Sequence, residues 1–440
     1  MKSTISTHLT LFLLLFLSKK CVANQEEPIG DDDYNDNIRL EEKLTVDREF
    51  YDQWMDLISL QNSQLEEQQL DYPLDYVLSD LSTCARHQQV TAADDADSLR
   101  PEHVRIFAEI GQLSSYCPSN YTLLKKGVLG SCRQRSSKMS LPSIPKMLEL
   151  RGANLNSVES NNLLDSLADQ ARDVAESIGR IPGNENVWKM VMILATIQDG
   201  TASETGQTAV EVLAAIEELG KLLPTKTFVV VLRTSGSGIW RDASHQSPAC
   251  REQLSKWKVH NKFNYNSVWD QVEKIVDKNY KKTTFNVEVL PLFKDPALNN
   301  LPTEMDLSVL GYDCAHFSER GLSLLHLAIW NSLITRKNAR ISQYRPSANP
   351  ILCPDPSCPF FRTAKNTDMC IWVPQVEYTF PPIASRLIVV AVLILTVILA
   401  SIILLFVCHS RRIANEKRGL PRKAFGASFS SIKFIDEDII

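Results

Sequence analysis

Strong charge of either sign is missing from this 440-residue chain: 47 Lys and Arg stand against 52 Asp and Glu, a net −5. No basic face stands out, so nucleic acid is not an expected partner. No internal repeat recurs, which sets solenoids and propellers aside. A usable set of metal ligands is lacking too. Cys353 and Cys358 lie close in sequence, but no histidine or second close cysteine pair completes a tetrahedral site. Neither a metal nor another cofactor is expected. Asn-x-Ser/Thr occurs once, at Asn120-Tyr121-Thr122, an expected glycosylation site.

Long apolar runs are confined to the two ends. Near the start, Lys2 is followed by Leu9 to Leu17 and then Cys21-Val22-Ala23. The run is too short to span a bilayer, so residues 1–23 read as a secretory signal. Near the other end, Leu387 to Cys408 carries no charge and is long enough to cross the hydrocarbon core. Arg411, Arg412, Lys417, Arg418, Arg422 and Lys423 follow it, whereas Arg386 stands alone before it. The positive-inside rule then predicts a single-pass type I protein of the cell membrane, with residues 409–440 in the cytosol and the domain extracellular or lumenal.

Eight cysteines are left outside: Cys84, Cys117, Cys132, Cys250, Cys314, Cys353, Cys358 and Cys370. In an oxidising compartment this even set predicts disulfides, with Cys250 the expected partner of Cys314.

Between the ends, Glu26 to Asn37 is acidic and poor in apolar residues, so 24–45 reads as a disordered linker. A helix follows with Phe50, Trp54, Leu57 and Ile58 on one face. Strands are expected at Val104–Ala108, Met190–Ala195, Phe228–Leu232 and Val287–Leu292. Leu164, Leu167, Ala171, Val174 and Ile178 recur at helical spacing, as do Val212, Ile216 and Leu219 before Pro224. Strands alternating with helices predict a doubly wound α/β domain with a parallel sheet over 46–345. The Pro- and Cys-rich stretch that follows reads as a stalk over 346–386, before a transmembrane helix at 387–408.

The strongest local pattern is Asp313-Cys314-Ala315-His316-Phe317-Ser318-Glu319-Arg320-Gly321, with Trp330-Asn331 beyond. An Asp three residues before a His can orient the imidazole, as in the base half of a Ser-His-Asp triad. The string resembles the last signature block of phospholipase B, a family of GDSL (SGNH) hydrolases. Arg100-Pro101, Gln170-Ala171-Arg172, Trp188-Lys189 and Cys353-Pro354 with Pro359-Phe360-Phe361 extend the resemblance in family order over roughly 99–366. It implies an SGNH-like α/β/α sandwich with Asp313 and His316 as triad members.

The other blocks depart from the family. Where it has Gly-Asp-Ser-Leu, this chain has Gly111-Gln112-Leu113-Ser114, with leucine at the nucleophile position. Thr196 and Gln198 stand where the family's third block has glycine and asparagine, and Asn161 stands at the oxyanion-hole glycine of the second. Acyl transfer needs both a hydroxyl beside the base and donors aimed at the oxyanion. The expectation is therefore an inactive hydrolase fold that binds a lipid, glycan or protein in its former cleft, Leu113 filling the vacated space. The alternatives are a working phospholipase or ester hydrolase using Ser114 or Ser115 with His316 and Asp313, and a purely structural adhesion ectodomain. Ser235-Gly236-Ser237-Gly238 lacks the Lys-Ser/Thr of a phosphate loop and reads as a plain loop.

Overall fold

The computed structural model describes residues 40, 42–71, 74–85, 93–117, 132, 134–160, 165–195, 204–234, 238–256, 266–295, 305–347, 349–367, 370 and 382–418. The expected signal at 1–23, most of the expected linker, Asn120, Asn161, Thr196, Gln198, residues 235–237 and those beyond 418 lie outside them. The chain divides into two units, Met1–Val373 and Pro374–Ile440.

The first unit is built on β1 (Val104–Ile110), β4 (Asn156–Glu159), β5 (Trp188–Ile193), β6 (Thr227–Thr234) and β7 (Phe285–Phe293), in the order β4-β1-β5-β6-β7. Every pairing is parallel. β5 and β6 are buried at every position because both faces of the sheet are covered, hence the apolar runs Met190–Ile193 and Phe228–Leu232 within them. Side chains alternate between the faces. Ile106, Ala108, Ile110, Val191, Ile193, Val229 and Val231 share one core with α2 (Leu167–Gly179), α3 (Glu204–Leu222) and α4 (Asn266–Asn279). Phe107, Met190, Met192, Phe228 and Val230 share the other with α1 (Arg48–Asp71) and α5 (Glu319–Ile334). The doubly wound α/β architecture expected from the alternation of patterns is the one present.

A smaller sheet, β3-β2-β8, joins Gln134–Arg135, Ser115–Cys117 and Phe317–Ser318. It bears on function because it ties a segment just after β1 to one more than 200 residues later.

Two boundaries move. Leu40, placed in the linker by its acidic surroundings, is buried and belongs to the core. The stretch read as a stalk from 346 is part of the packed body as far as Thr367. Phe361 is fully buried and stacks on Phe228 at 5.7 Å, and its N–H donates to the Leu99 carbonyl. Arg362 donates to the Leu333 carbonyl. Proline content suggested an extended tether, but the Phe-Phe-Arg-Thr run supplies a buried anchor.

The eight cysteines other than Cys21 and Cys408 are all paired: Cys84–Cys353, Cys117–Cys132, Cys250–Cys314 and Cys358–Cys370. The expected Cys250–Cys314 bond is among them. Cys353 and Cys358 belong to different disulfides, so neither has a thiolate to offer a metal.

The second unit contains α6 (Pro382–Arg418), whose apolar portion Val389–Ile413 is 25 residues long. At 1.5 Å per residue it extends about 37 Å, enough to cross a membrane.

Candidate active site

At the carboxyl end of β1 the chain turns at Gly111, with φ +97°. A β-carbon there would lie 2.3 Å from the Leu194 carbonyl oxygen, so only glycine fits. The Gly111 N–H donates to Gln170 Oε1 at 2.9 Å, and the Leu113 N–H donates to the Leu194 carbonyl at 3.0 Å. One turn of 3-10 helix, Gln112–Ser114, leads into β2. This tight turn lies where the chain passes to β4 on one side of β1 and β5 on the other. That is the switch point at which open parallel sheets place their sites.

Leu113 occupies the centre of the turn and is 2% exposed within the core. Ser114 and Ser115 are as deeply buried. The Ser114 hydroxyl donates to the Gly111 carbonyl at 2.6 Å, and that of Ser115 donates to the Gln112 carbonyl at 2.7 Å. Both hydroxyl protons are thus committed to backbone.

The pairing of β2 with β8, Tyr116 opposite Phe317, brings this turn beside the Asp313–His316 loop. Contact is close: a β-carbon on Gly311 would meet that of Cys117 at 2.2 Å. His316 Nδ1 lies 2.6 Å from Asp313 Oδ2, while Asp313 Oδ1 accepts from the N–H groups of Ala315 and His316, each at 3.1 Å. The carboxylate is therefore fixed by backbone before it meets the ring. Cys314 takes the left-handed φ of +60° this tight loop requires, and its disulfide to Cys250 anchors the loop from behind.

Three further side chains hold the loop. Trp54 Nε1 donates to the Tyr312 carbonyl at 3.0 Å, and Trp240 Nε1 donates to the Ala315 carbonyl at 2.8 Å. Gln61 Nε2 faces the carbonyls of Leu307 and Leu310, both at 3.1 Å. Sequence reasoning placed Trp54 on an apolar face but gave it no role. The signal was available, because a buried indole N–H must find an acceptor.

Cys117, Cys132 and Asp313 also bring their ligand atoms within 4.8 Å of one another. The two sulfurs are joined to each other, so the cluster is not a metal site.

Glu109, two residues before Gly111, was missed entirely. Its carboxyl is buried against Ser136 Oγ, and His326 Nε2 lies 3.5 Å from its other oxygen. Burial pushes Glu109 up to about 8, helped by nearby Glu159 and opposed by Ser136. Burial pushes His326 down to about 3. His326 Nδ1 accepts from the Ile144 N–H at 3.1 Å. Between those values the two are a neutral acid and a neutral imidazole.

The arrangement thus presents an oriented base. Asp313 fixes the imidazole through Nδ1, the geometry in which Nε2 takes a proton from a nucleophile. The turn after β1 carries Leu113 at its centre, on the side of the sheet where β2 meets β8.

A stretch of 162 residues, 35% of the chain, is 27% identical to "Phospholipase B1, membrane-associated" of Homo sapiens. A stretch of 97 residues is likewise 27% identical to the protein of the same name from Rattus norvegicus. A phospholipase B-like relationship is supported. The matched stretches span only 11% and 6% of those proteins' own lengths. No family model matches the chain, and no solved structure matches it. The phospholipase B likeness accords with the Asp313–His316 loop and with an apolar helix able to cross a membrane.

Proposed function

We propose that this phospholipase B-like chain is a catalytically inactive member of the GDSL hydrolases, acting at the cell surface by binding a lipid or protein ligand in its former active-site cleft. The observation that carries the reading is Leu113. The resemblance sets it at the nucleophile position, it is buried, and the Asp313–His316 pair has the spacing of a triad's base half. The side chains at Asn161, Thr196 and Gln198 support it from the sequence, because each replaces a residue of the family's oxyanion-binding blocks. An active enzyme using Ser114 or Ser115 is disfavoured, since both hydroxyls donate to backbone and neither is exposed. Under this proposal residues 1–23 are cleaved as a signal, Asn120 carries a glycan and 409–440 face the cytosol.

The test is a serine-reactive fluorophosphonate applied to the full-length chain in membranes. No labelling above that of a Ser114→Ala, Ser115→Ala double variant is expected. Labelling at either serine, together with phospholipid or short-ester hydrolysis abolished by His316→Ala, overturns the proposal.

A further inference from the structure

Away from the former cleft, a cavity of about 380 Å³ lies between α5 and the segment 339–352. It has room for roughly a dozen non-hydrogen atoms at ~30 Å³ each, the small end of ligand sites. Leu324, Leu327 and Ala328 line one wall at the spacing of a single helical face. Ile341 and Leu352 line it from the outer segment, and each leaves nearly half of its own surface exposed. The outer segment is fastened to α5 by three hydrogen bonds. Trp330 Nε1 donates to the Leu352 carbonyl at 3.0 Å, Asn331 Nδ2 donates to the Pro350 carbonyl at 3.0 Å, and the Leu352 N–H donates to Asn331 Oδ1 at 2.8 Å. The next residue, Cys353, is tied to Cys84. The apolar walls are thus held in place by protein contacts alone.

The charge around this space is predominantly of one sign. The lining contains two cations, Arg340 and Arg345, and neither Asp nor Glu among the described residues. Behind Arg340 the buried carboxylate of Glu288 is shared. Lys281 Nζ lies 2.5 Å from one of its oxygens and Arg340 Nη1 lies 3.3 Å from the other, so one negative charge serves two positive ones. Asp277, on the far side of Lys281, is itself shared with Lys337. Arg340 also donates to the Ser332 and Arg362 carbonyls, which makes it a fixed source of positive field. Arg345 differs. It is exposed, it lines the cavity, and it pairs with no carboxylate among the described residues. Its planar guanidinium can hold a carboxylate through two parallel hydrogen bonds. A neutral hydrocarbon would leave that cation unused, a cationic head would be repelled, and a compact polyanion would leave the apolar wall bare.

We propose that this cavity binds a single-chain carboxylate of about ten carbons, its head paired with Arg345 at the mouth and its chain laid along Leu324, Leu327 and Ala328. Such an acid is ionised at neutral pH. Its head stays in contact with water at the exposed arginine, so no bare charge is buried, while the chain covers apolar surface that the protein leaves open. The site is separate from the Asp313–His316 loop and does not depend on the reading of that loop.

The experiment is photolabelling of the full-length chain in phosphatidylcholine nanodiscs with a diazirine-bearing decanoate, mapped by peptide mass spectrometry. Labelled peptides are expected within 324–352, with decanoate competing at least about tenfold better than decanol or decyltrimethylammonium. Arg345→Gln, an exposed change that leaves the fold intact, should cut the labelling about tenfold and abolish the advantage of decanoate over decanol. Ala328→Trp, which fills the cavity, should cut it to a similar extent. Arg180→Gln removes an equal charge from the surface just beyond α2, on the other face of the sheet, and should leave labelling unchanged. Label confined to 389–413 or centred on 311–317, undiminished label in Arg345→Gln, an equal fall in Arg180→Gln, or decanol competing as well as decanoate would each overturn the assignment.

Discussion

At the scale of single residues, the proposed reading turns on position 113. Restoring the hydroxyl is the direct test of how much else is lost. Leu113→Ser is expected to show no measurable ester hydrolysis. Under the proposed reading the base is in place but the family's oxyanion donors are replaced at Asn161 and Gln198, and two missing donors at ~3 kcal/mol each would leave the rate about ten-thousand-fold down. The variant also exchanges a core leucine for a buried hydroxyl, a loss of about 2–5 kcal/mol, so circular dichroism must first establish that it is folded. Turnover by Leu113→Ser alone would mean that the oxyanion donors survive. The Asp313–His316 pair was legible in the sequence because its members lie three residues apart and their spacing alone sets the contact. Glu109 and His326 were not. They are 217 residues apart, and only the packing of α5 against β1 brings them together.

At the scale of elements, the buried strands announced themselves. β1, β5, β6 and β7 are covered on both faces, so their sequences are near-continuous apolar runs. β4 was missed because Asn156–Glu159 is short and largely exposed, with no apolar pattern to read. Its place in the sheet comes from pairing with β1 through Ile106–Glu109. The apolar face of α1 was legible, since Phe50, Trp54, Leu57 and Ile58 are all buried, but its task as a clamp was not. That task makes a prediction. Trp54→Ala should cost about 3–5 kcal/mol of stability by opening a cavity, and should also free the Tyr312 carbonyl. Hydrogen exchange at 311–317 is then expected to rise more than in a control variant of equal destabilisation on the opposite face of the sheet, such as Trp269→Ala. Equal rises in the two would show that α1 is ordinary core.

At the scale of the whole domain, the buried Glu109–His326 pair sets how stability follows pH. Glu109 titrates near 8 in the folded chain against 4.5 as its ordinary value. Its folded pKa is raised, so its contribution is fully present below about 4.5 and is lost as pH rises through 8. His326 titrates near 3 against 6.5. Its folded pKa is depressed, so its contribution is present above about 6.5 and is lost as pH falls through 3. Between 4.5 and 6.5 the two slopes oppose and nearly cancel. Above 6.5 Glu109 acts alone, and the domain should lose stability at up to about 1.4 kcal/mol per pH unit until pH 8. Below 4.5 His326 acts alone in the opposite sense. The pair therefore predicts a stability plateau on the acid side of neutrality. Glu109→Gln keeps the shape and removes the charge that alkaline pH would force into the core. Denaturant unfolding at pH 6.5 and 8.5 should show the parent losing about 2 kcal/mol more than Glu109→Gln across that interval. An equal loss in both would place the alkaline sensitivity elsewhere and remove Glu109 as its origin.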